Sequence, residues 1–164
     1  MITVFTDGSC VCGNPGNAAC AYIAMRDDVM LDAIGIPMGR STNNRGELNG
    51  IIHGLLAAAK LAFPCEDVLL VTDSMYGVDG IWKARNNAMR RVANHDLWNE
   101  IADAVEALVK TGHALQIKWV RGHNGNPGNT RCDRLARNTA RTQMQHTSAM
   151  VLKKDCLVSS GSLV

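Results

Sequence analysis

The sequence predicts an α/β fold built on a mixed sheet, antiparallel at first and parallel later. Three observations carry that reading. Two extended runs, Ile2-Thr3-Val4-Phe5-Thr6-Asp7-Gly8-Ser9 and Val68-Leu69-Leu70-Val71-Thr72-Asp73-Ser74, each end in a Thr-Asp pair followed by a small residue, and Gly8 is expected to break the first strand there. The first alternates as a half-buried strand does, and the second is apolar throughout, as in a strand covered on both faces. Between them lies a stretch of helical periodicity, long enough to cross over from one parallel strand to the next.

The elements follow in chain order. After Gly8, the turn residues from Cys12 to Asn17 close a hairpin arm. Ala18 to Arg26 and Met30 to Met38 read as strands around the polar turn Asp27-Asp28, which makes an antiparallel meander with the first strand. Asn44 to Phe63 supplies the crossover helix, with Leu48, Ile51, Ile52, Leu55, Leu56 and Ala59 at helical spacing. Its start, Asn44-Arg45-Gly46-Glu47, has the form of a capping box, with Asn44 as the cap and an acid three residues on.

Ser74 can cap a short helix carrying Tyr76, Val78 and Ile81. Trp82 to Arg91 then sets Lys83, Arg85, Arg90 and Arg91 beside a tryptophan, a mix suited to a phosphate backbone. His95-Asp96-Leu97-Trp98 opens a second amphipathic helix, with Ile101, Ala104, Val105, Leu108 and Val109 on its face and Thr111-Gly112 at its stop. Leu115 to Val120 alternates as a strand. A glycine-rich loop from Arg121 to Asn129 holds His123, and a last helix runs from Thr130 to Thr142 with Asp133 in its first turn.

Composition limits the function classes. The 164 residues, 46% of them hydrophobic, suit one domain, and a net charge of +2 means that any nucleic-acid surface must be local. The six cysteines form no C-x-x-C pair and the N-terminus opens into a strand without a signal-type apolar core, so a reduced, cytoplasmic protein is expected. No membrane span, P-loop or internal repeat is present in the sequence.

Asp7, Glu47, Asp73 and Asp133 each have an ordinary explanation as a turn former or a helix-start acid. Their joint topology points further. Two are expected at the ends of strands and two near helix starts, and a βαβ arrangement brings all of these to one sheet edge. At about 5 Å and an effective dielectric of about 20, each pair would repel by roughly 3 kcal/mol, so such a group is expected to hold cations. Oxygen donors without cysteine or an imidazole cluster select hard ions, magnesium first and manganese as the other candidate. Two divalent ions would balance four carboxylates, and paired ions serve in-line displacement at phosphorus. His123, just before the Asp133 helix, is placed to move a proton or assist product release.

The chain resembles a type 1 ribonuclease H. The motifs run in the family order from Ile2 to about Arg141: Thr6-Asp7-Gly8-Ser9-Cys10 with Gly13-Asn14-Pro15-Gly16, then Thr42-Asn43-Asn44-Arg45-Gly46-Glu47-Leu48, Thr72-Asp73-Ser74 with Tyr76, Asp96-Leu97-Trp98, and Gly122-His123 continuing to Arg131-Cys132-Asp133. The resemblance implies a ribonuclease H-like fold, a five-stranded mixed sheet flanked by helices. It also implies endonucleolytic cleavage of the RNA strand of RNA/DNA hybrids, leaving 5′-phosphate and 3′-hydroxyl ends. By matching position, Asp7, Glu47, Asp73 and Asp133 are implied as ligands of two Mg2+ ions and His123 as the catalytic histidine. Arg40, Thr42 and Asn94 match a pocket for a DNA-strand phosphate, and Asn14, Asn43 and Asn44 match residues facing the minor groove. Trp82, Lys83 and Arg85 fall in a shortened version of the family's basic handle. The catalytic domain is expected over residues 1–142, with 143–164 a flexible or partly ordered tail, in a monomer that needs no membrane and no protein partner.

Three departures from the family pattern stand out. One extra residue lies between Cys10 and Gly13, the handle is poor in lysine and tryptophan, and Met75 stands where a glutamine is common. The rival readings are a non-hydrolytic hybrid-binding module, a junction resolvase or integrase core of the same superfamily, and a small cysteine-dependent redox protein.

Overall fold

The computed structural model describes residues 1–85, 93–122 and 125–159, with side chains placed for 1–83, 93–122 and 125–143. Five strands, β1 (Ile2–Val11), β2 (Gly16–Arg26), β3 (Val29–Ser41), β4 (Val68–Thr72) and β5 (Leu115–Trp119), form one sheet in the order β3-β2-β1-β4-β5. β1, β2 and β3 pair antiparallel, while β4 runs parallel to both β1 and β5. The change from antiparallel to parallel pairing therefore falls between β1 and β4, as the sequence predicts. The helices are α1 (Asn43–Leu61), α2 (Met75–Arg85), α3 (His95–Lys110) and α4 (Pro127–Ser159).

The sheet separates two apolar layers. On one face Ile2, Val4, Val68 and Leu70 pack with Leu48, Ile51 and Leu55 of α1 and with Leu97, Ile101 and Leu108 of α3. On the other, Phe5, Ala21 and Ile23 meet Cys132, Leu135 and Ala136 of α4. Each face of β1 is thus covered by a helix, which fixes the register of its alternating side chains.

Two helix ends differ from the sequence reading. Thr42, not Asn44, caps α1, since its Oγ1 accepts a hydrogen bond from Arg45 N at 3.3 Å. The helix thereby starts earlier and Glu47 lies beyond the reach of a capping box. α4 also begins earlier, at Pro127, because proline suits a first helical position and Asn126 Oδ1 accepts from Asn129 N at 3.0 Å. Asp133 consequently sits in the second turn. The backbone of α4 stays helical past Thr142, with no glycine or proline from Asn129 to Ser160 to stop it.

A clamp secures the end of the sheet away from the paired acids. Arg26, at the end of β2, donates to Glu66 from Nε at 2.9 Å and from Nη2 at 2.7 Å, and Phe63 N donates to Glu66 Oε2 at 2.9 Å. The hydrogen bonds from Arg26 are the main reason that the Glu66 carboxyl is lowered to about 2. Because the folded value lies below the unfolded one, this stabilisation is present above about pH 4.5 and is lost as the pH falls toward 2. Glu66→Gln is expected to destabilise the protein at pH 7 by about 1–2 kcal/mol, the scale of a partly exposed charge-assisted hydrogen bond. Denaturation curves at pH 7 and pH 2.5 check this, since the difference between variant and parent should shrink at the lower pH.

Candidate active site

The strand register explains why two acids meet. Parallel pairing of β1 with β4 ends at Thr6 opposite Thr72, and Asp7 and Asp73 are the next residue in each strand direction. β1 itself continues to Val11 against β2, with Asp7 opposite Ala21, so Gly8 does not break the strand. Asp73 leaves the sheet and is held from two sides. Trp119 Nε1 at the end of β5 donates to the Asp73 carbonyl at 3.0 Å, and Asn129 Nδ2 in the first turn of α4 donates to Asp73 Oδ2 at 3.1 Å. Gly122 lies so close that a Cβ there would stand 2.6 Å from the same oxygen.

Glu47 reaches this edge from the other direction. With Thr42 as cap it occupies the second turn of α1, where glycines let helix and strand approach closely. A Cβ on Gly8 would collide with the backbone of Gly46 and Glu47, and one on Gly50 would stand 2.9 Å from the Asp7 carbonyl oxygen. Asn43 Nδ2 lies 3.5 Å from Glu47 Oε1, while the buried Oε2 has no hydrogen-bond partner among the described residues.

Asp7, Glu47 and Asp73 each offer a carboxylate oxygen, and these oxygens lie within 4.8 Å of one another. Burial, then the charges of Asp73 and Asp133, push the Asp7 carboxyl up to about 8. Burial, then Asp7 and Asp73, likewise raise Glu47 well above its ordinary range. A group of oxygen donors that repel one another, with one buried oxygen lacking a donor, fits a hard divalent cation.

Asp133 stands apart from this group of three. It lines the same cavity of about 430 Å³, together with Asp7, Glu47, Asp73, Arg137 and Arg141, but its carboxylate accepts from Arg137 Nη2 at 2.7 and 2.9 Å. His123 falls outside the described residues.

The expected substrate residues lie around the starts of α1 and α3. Thr42 caps α1, and Arg45 Nη1 in its first turn donates to Asn94 Oδ1 at 3.3 Å. Arg45 also pairs with Asp96 through both terminal guanidinium nitrogens, Nη1 at 3.0 Å and Nη2 at 2.6 Å. Asn94 Nδ2 donates to the Tyr76 hydroxyl at 3.0 Å, which ties α2 into the same group. Arg40 is exposed near the end of β3. Exposed Asn14, at the hairpin tip, accepts from Asn43 N at 3.1 Å through Oδ1, and Asn44 is exposed beside it. Trp82 and Lys83 are exposed on α2, while the Arg85 side chain falls outside the described ones.

The sequence reading missed Asn129, Trp119, Arg137 and Arg141 as members of the site. Only Arg137 carried a local signal, four residues after Asp133 on a helix. Asn129 looked like part of a glycine-rich loop.

Fold and site together define an α/β protein that gathers carboxylates where the parallel pairing of its two central strands ends. A profile described as RNase H matches residues 1–141. A ribonuclease H of Polaromonas naphthalenivorans is 41% identical over 144 residues, covering 82% of this chain and 84% of that one. A ribonuclease HI of Pseudomonas syringae pv. tomato is 40% identical, covering 82% and 89%. Among solved structures, the N-terminal RNase H domain of a Mycobacterium tuberculosis protein superposes with a TM-score of 0.70 at 26% identity, over 89% of this chain and 97% of that one. The chain belongs to the RNase H family and is an enzyme of it, a ribonuclease. No helix among the described residues is long and apolar enough to cross a membrane.

Proposed function

We propose that this enzyme is an endonuclease that hydrolyses the RNA strand of RNA/DNA hybrids, leaving 5′-phosphate and 3′-hydroxyl ends. The observation that carries the reading is the approach of Asp7, Glu47 and Asp73 within 4.8 Å, with Glu47 Oε2 buried and unpartnered. Asp7, Glu47, Asp73 and Asp133 would hold two divalent ions, Mg2+ or in its place Mn2+. Such ions supply an activated water and stabilise the departing oxygen of an in-line displacement.

The chain's own groups do the rest. Asn129 and Trp119 fix Asp73, and the packing of α1 on β1 through Gly8 and Gly50 brings Glu47 to Asp7. His123 is proposed to carry a proton. Arg40, Thr42 and Asn94 are proposed to grip a phosphate of the DNA strand, a role favoured by the positive end of the α1 dipole at Thr42. Asn14, Asn43 and Asn44 would face the minor groove, where 2′-hydroxyls and shape distinguish a hybrid from duplex DNA. Trp82, Lys83 and Arg85 would contact the phosphate backbone. The catalytic unit is proposed to be residues 1–142, acting as a cytoplasmic monomer.

Labelled RNA/DNA hybrid, duplex DNA and a four-way junction, each with and without Mg2+, test the reading. Cleavage of the hybrid's RNA strand only, and only with the ion, is the expected result; preferential cutting of the junction would replace it with a resolvase. For the double variant Lys83→Ala/Arg85→Ala, hybrid binding should weaken and the slope of log K against log[salt] should flatten by about 2, one unit per lost phosphate contact. An unchanged slope would remove this segment from the interface.

A further inference from the structure

The fourth carboxylate is in a different condition from the other three. No salt bridge within the described residues reaches Asp7, Glu47 or Asp73. Asp133 already has a cation, since Arg137, one turn along α4, donates from Nη2 to Oδ1 at 2.7 Å and to Oδ2 at 2.9 Å. Arg137 and Asp133 line the same cavity, and Arg141 lines it one turn further on.

We propose that Arg137 is a positioning residue that occupies Asp133 until a divalent ion displaces it, so that the site fills in two steps, the group of three first and Asp133 second. This rests on reading the cluster as a divalent-cation site. A carboxylate that accepts from one guanidinium nitrogen through both oxygens is held turned toward that cation, and the guanidinium charge repels an incoming ion. Release is local. The Arg137 side chain is 41% exposed, so a rotamer change hands it to water while the helix backbone stays in place. An i,i+4 pair at such a site is weak, so Arg137 sets a threshold of a few-fold and does not close the site.

The test is a Mg2+ titration of the full chain followed at the carboxyl carbons by 13C resonance. In the parent protein Asp7, Glu47 and Asp73 are expected to respond at lower Mg2+ than Asp133. Arg137→Gln should lower the Asp133 midpoint by about twofold to fivefold and the Asp7, Glu47 and Asp73 midpoints by less, since the Arg137 charge also reaches Asp7. Arg137→Lys, which keeps the charge but cannot present the same planar guanidinium, should fall between the two and serves if the glutamine variant does not fold. An Asp133 midpoint that is the same in parent and variants, or that coincides with the other three in the parent, overturns the inference while leaving the proposed cation site standing. Carboxyls of Asp7, Glu47 and Asp73 that ignore Mg2+ at every concentration overturn both.

Discussion

Asp73→Asn is expected to lower Mg2+-dependent cleavage of a hybrid by about 10³-fold or more, the rate equivalent of several kcal/mol of ion-mediated stabilisation. The fold should survive. Asparagine matches aspartate in volume, and its carbonyl oxygen can still accept from Asn129 Nδ2, which now bonds Asp73 Oδ2. Asp7→Asn should lose activity to a similar degree but has a second, opposite effect on stability. Burial and the neighbouring acids push Asp7 up to about 8, whereas an unfolded chain ionises near 3.8. Between those values the folded protein holds the extra proton, so the ion-free protein loses stability as the pH rises from about 4 to 8. The variant removes that slope. Its ion-free melting temperature at pH 8 should exceed that of the parent, and added Mg2+ should raise the parent's melting temperature more than the variant's. Turnover near the parental rate in either variant would show the ligand assignment to be wrong.

Gly8→Ala is expected to cost about 3 kcal/mol or more, a fall of roughly 6–12 °C in melting temperature for a chain of this size. The new Cβ would meet the Glu47 backbone N and the Gly46 carbonyl carbon, and would lie 3.0 Å from Glu47 Cα. Those are backbone atoms of α1, so no side-chain rotation relieves the contact and the helix must move off β1. Glu47 would move with it, and a shift of about 1 Å at a catalytic ligand is enough to lose about 10²-fold in rate. Thermal melts and cleavage assays on the variant check both numbers. A parental melting temperature would mean that α1 does not approach β1 as closely as described.

Much of this site is legible in the chain because the apolar pattern of each strand places its acid in the sheet, although β1 runs on past Asp7 to Val11 where Gly8 predicts a break. Asp7 and Asp73 each follow a run whose apolar pattern sets its place in the sheet, and parallel pairing then aligns Thr6 with Thr72. Glu47 was legible as an acid near a helix start but not as a buried one, because the cap lay at Thr42 and several polar residues nearby could have served. The closeness of α1 to β1 was not legible at all. Gly8, Gly46 and Gly50 act by lacking a side chain, and only the facing backbone shows why that matters. Asp133 is legible by its place in an ordered set of motifs, while its pairing with Arg137 depends on the helix phase that starts at Pro127. Asn129 gave no signal, since a buried amide that steadies a carboxylate reads in sequence as a loop residue.

The central claim is that Asp7, Glu47 and Asp73 share a divalent cation. Crystals grown with Mn2+ and measured at its absorption edge test it most directly. An anomalous peak within direct bonding distance of oxygens from all three carboxylates is the predicted result; a protein that remains ion-free at millimolar Mn2+, or a peak bound elsewhere with these three side chains unligated, would contradict it.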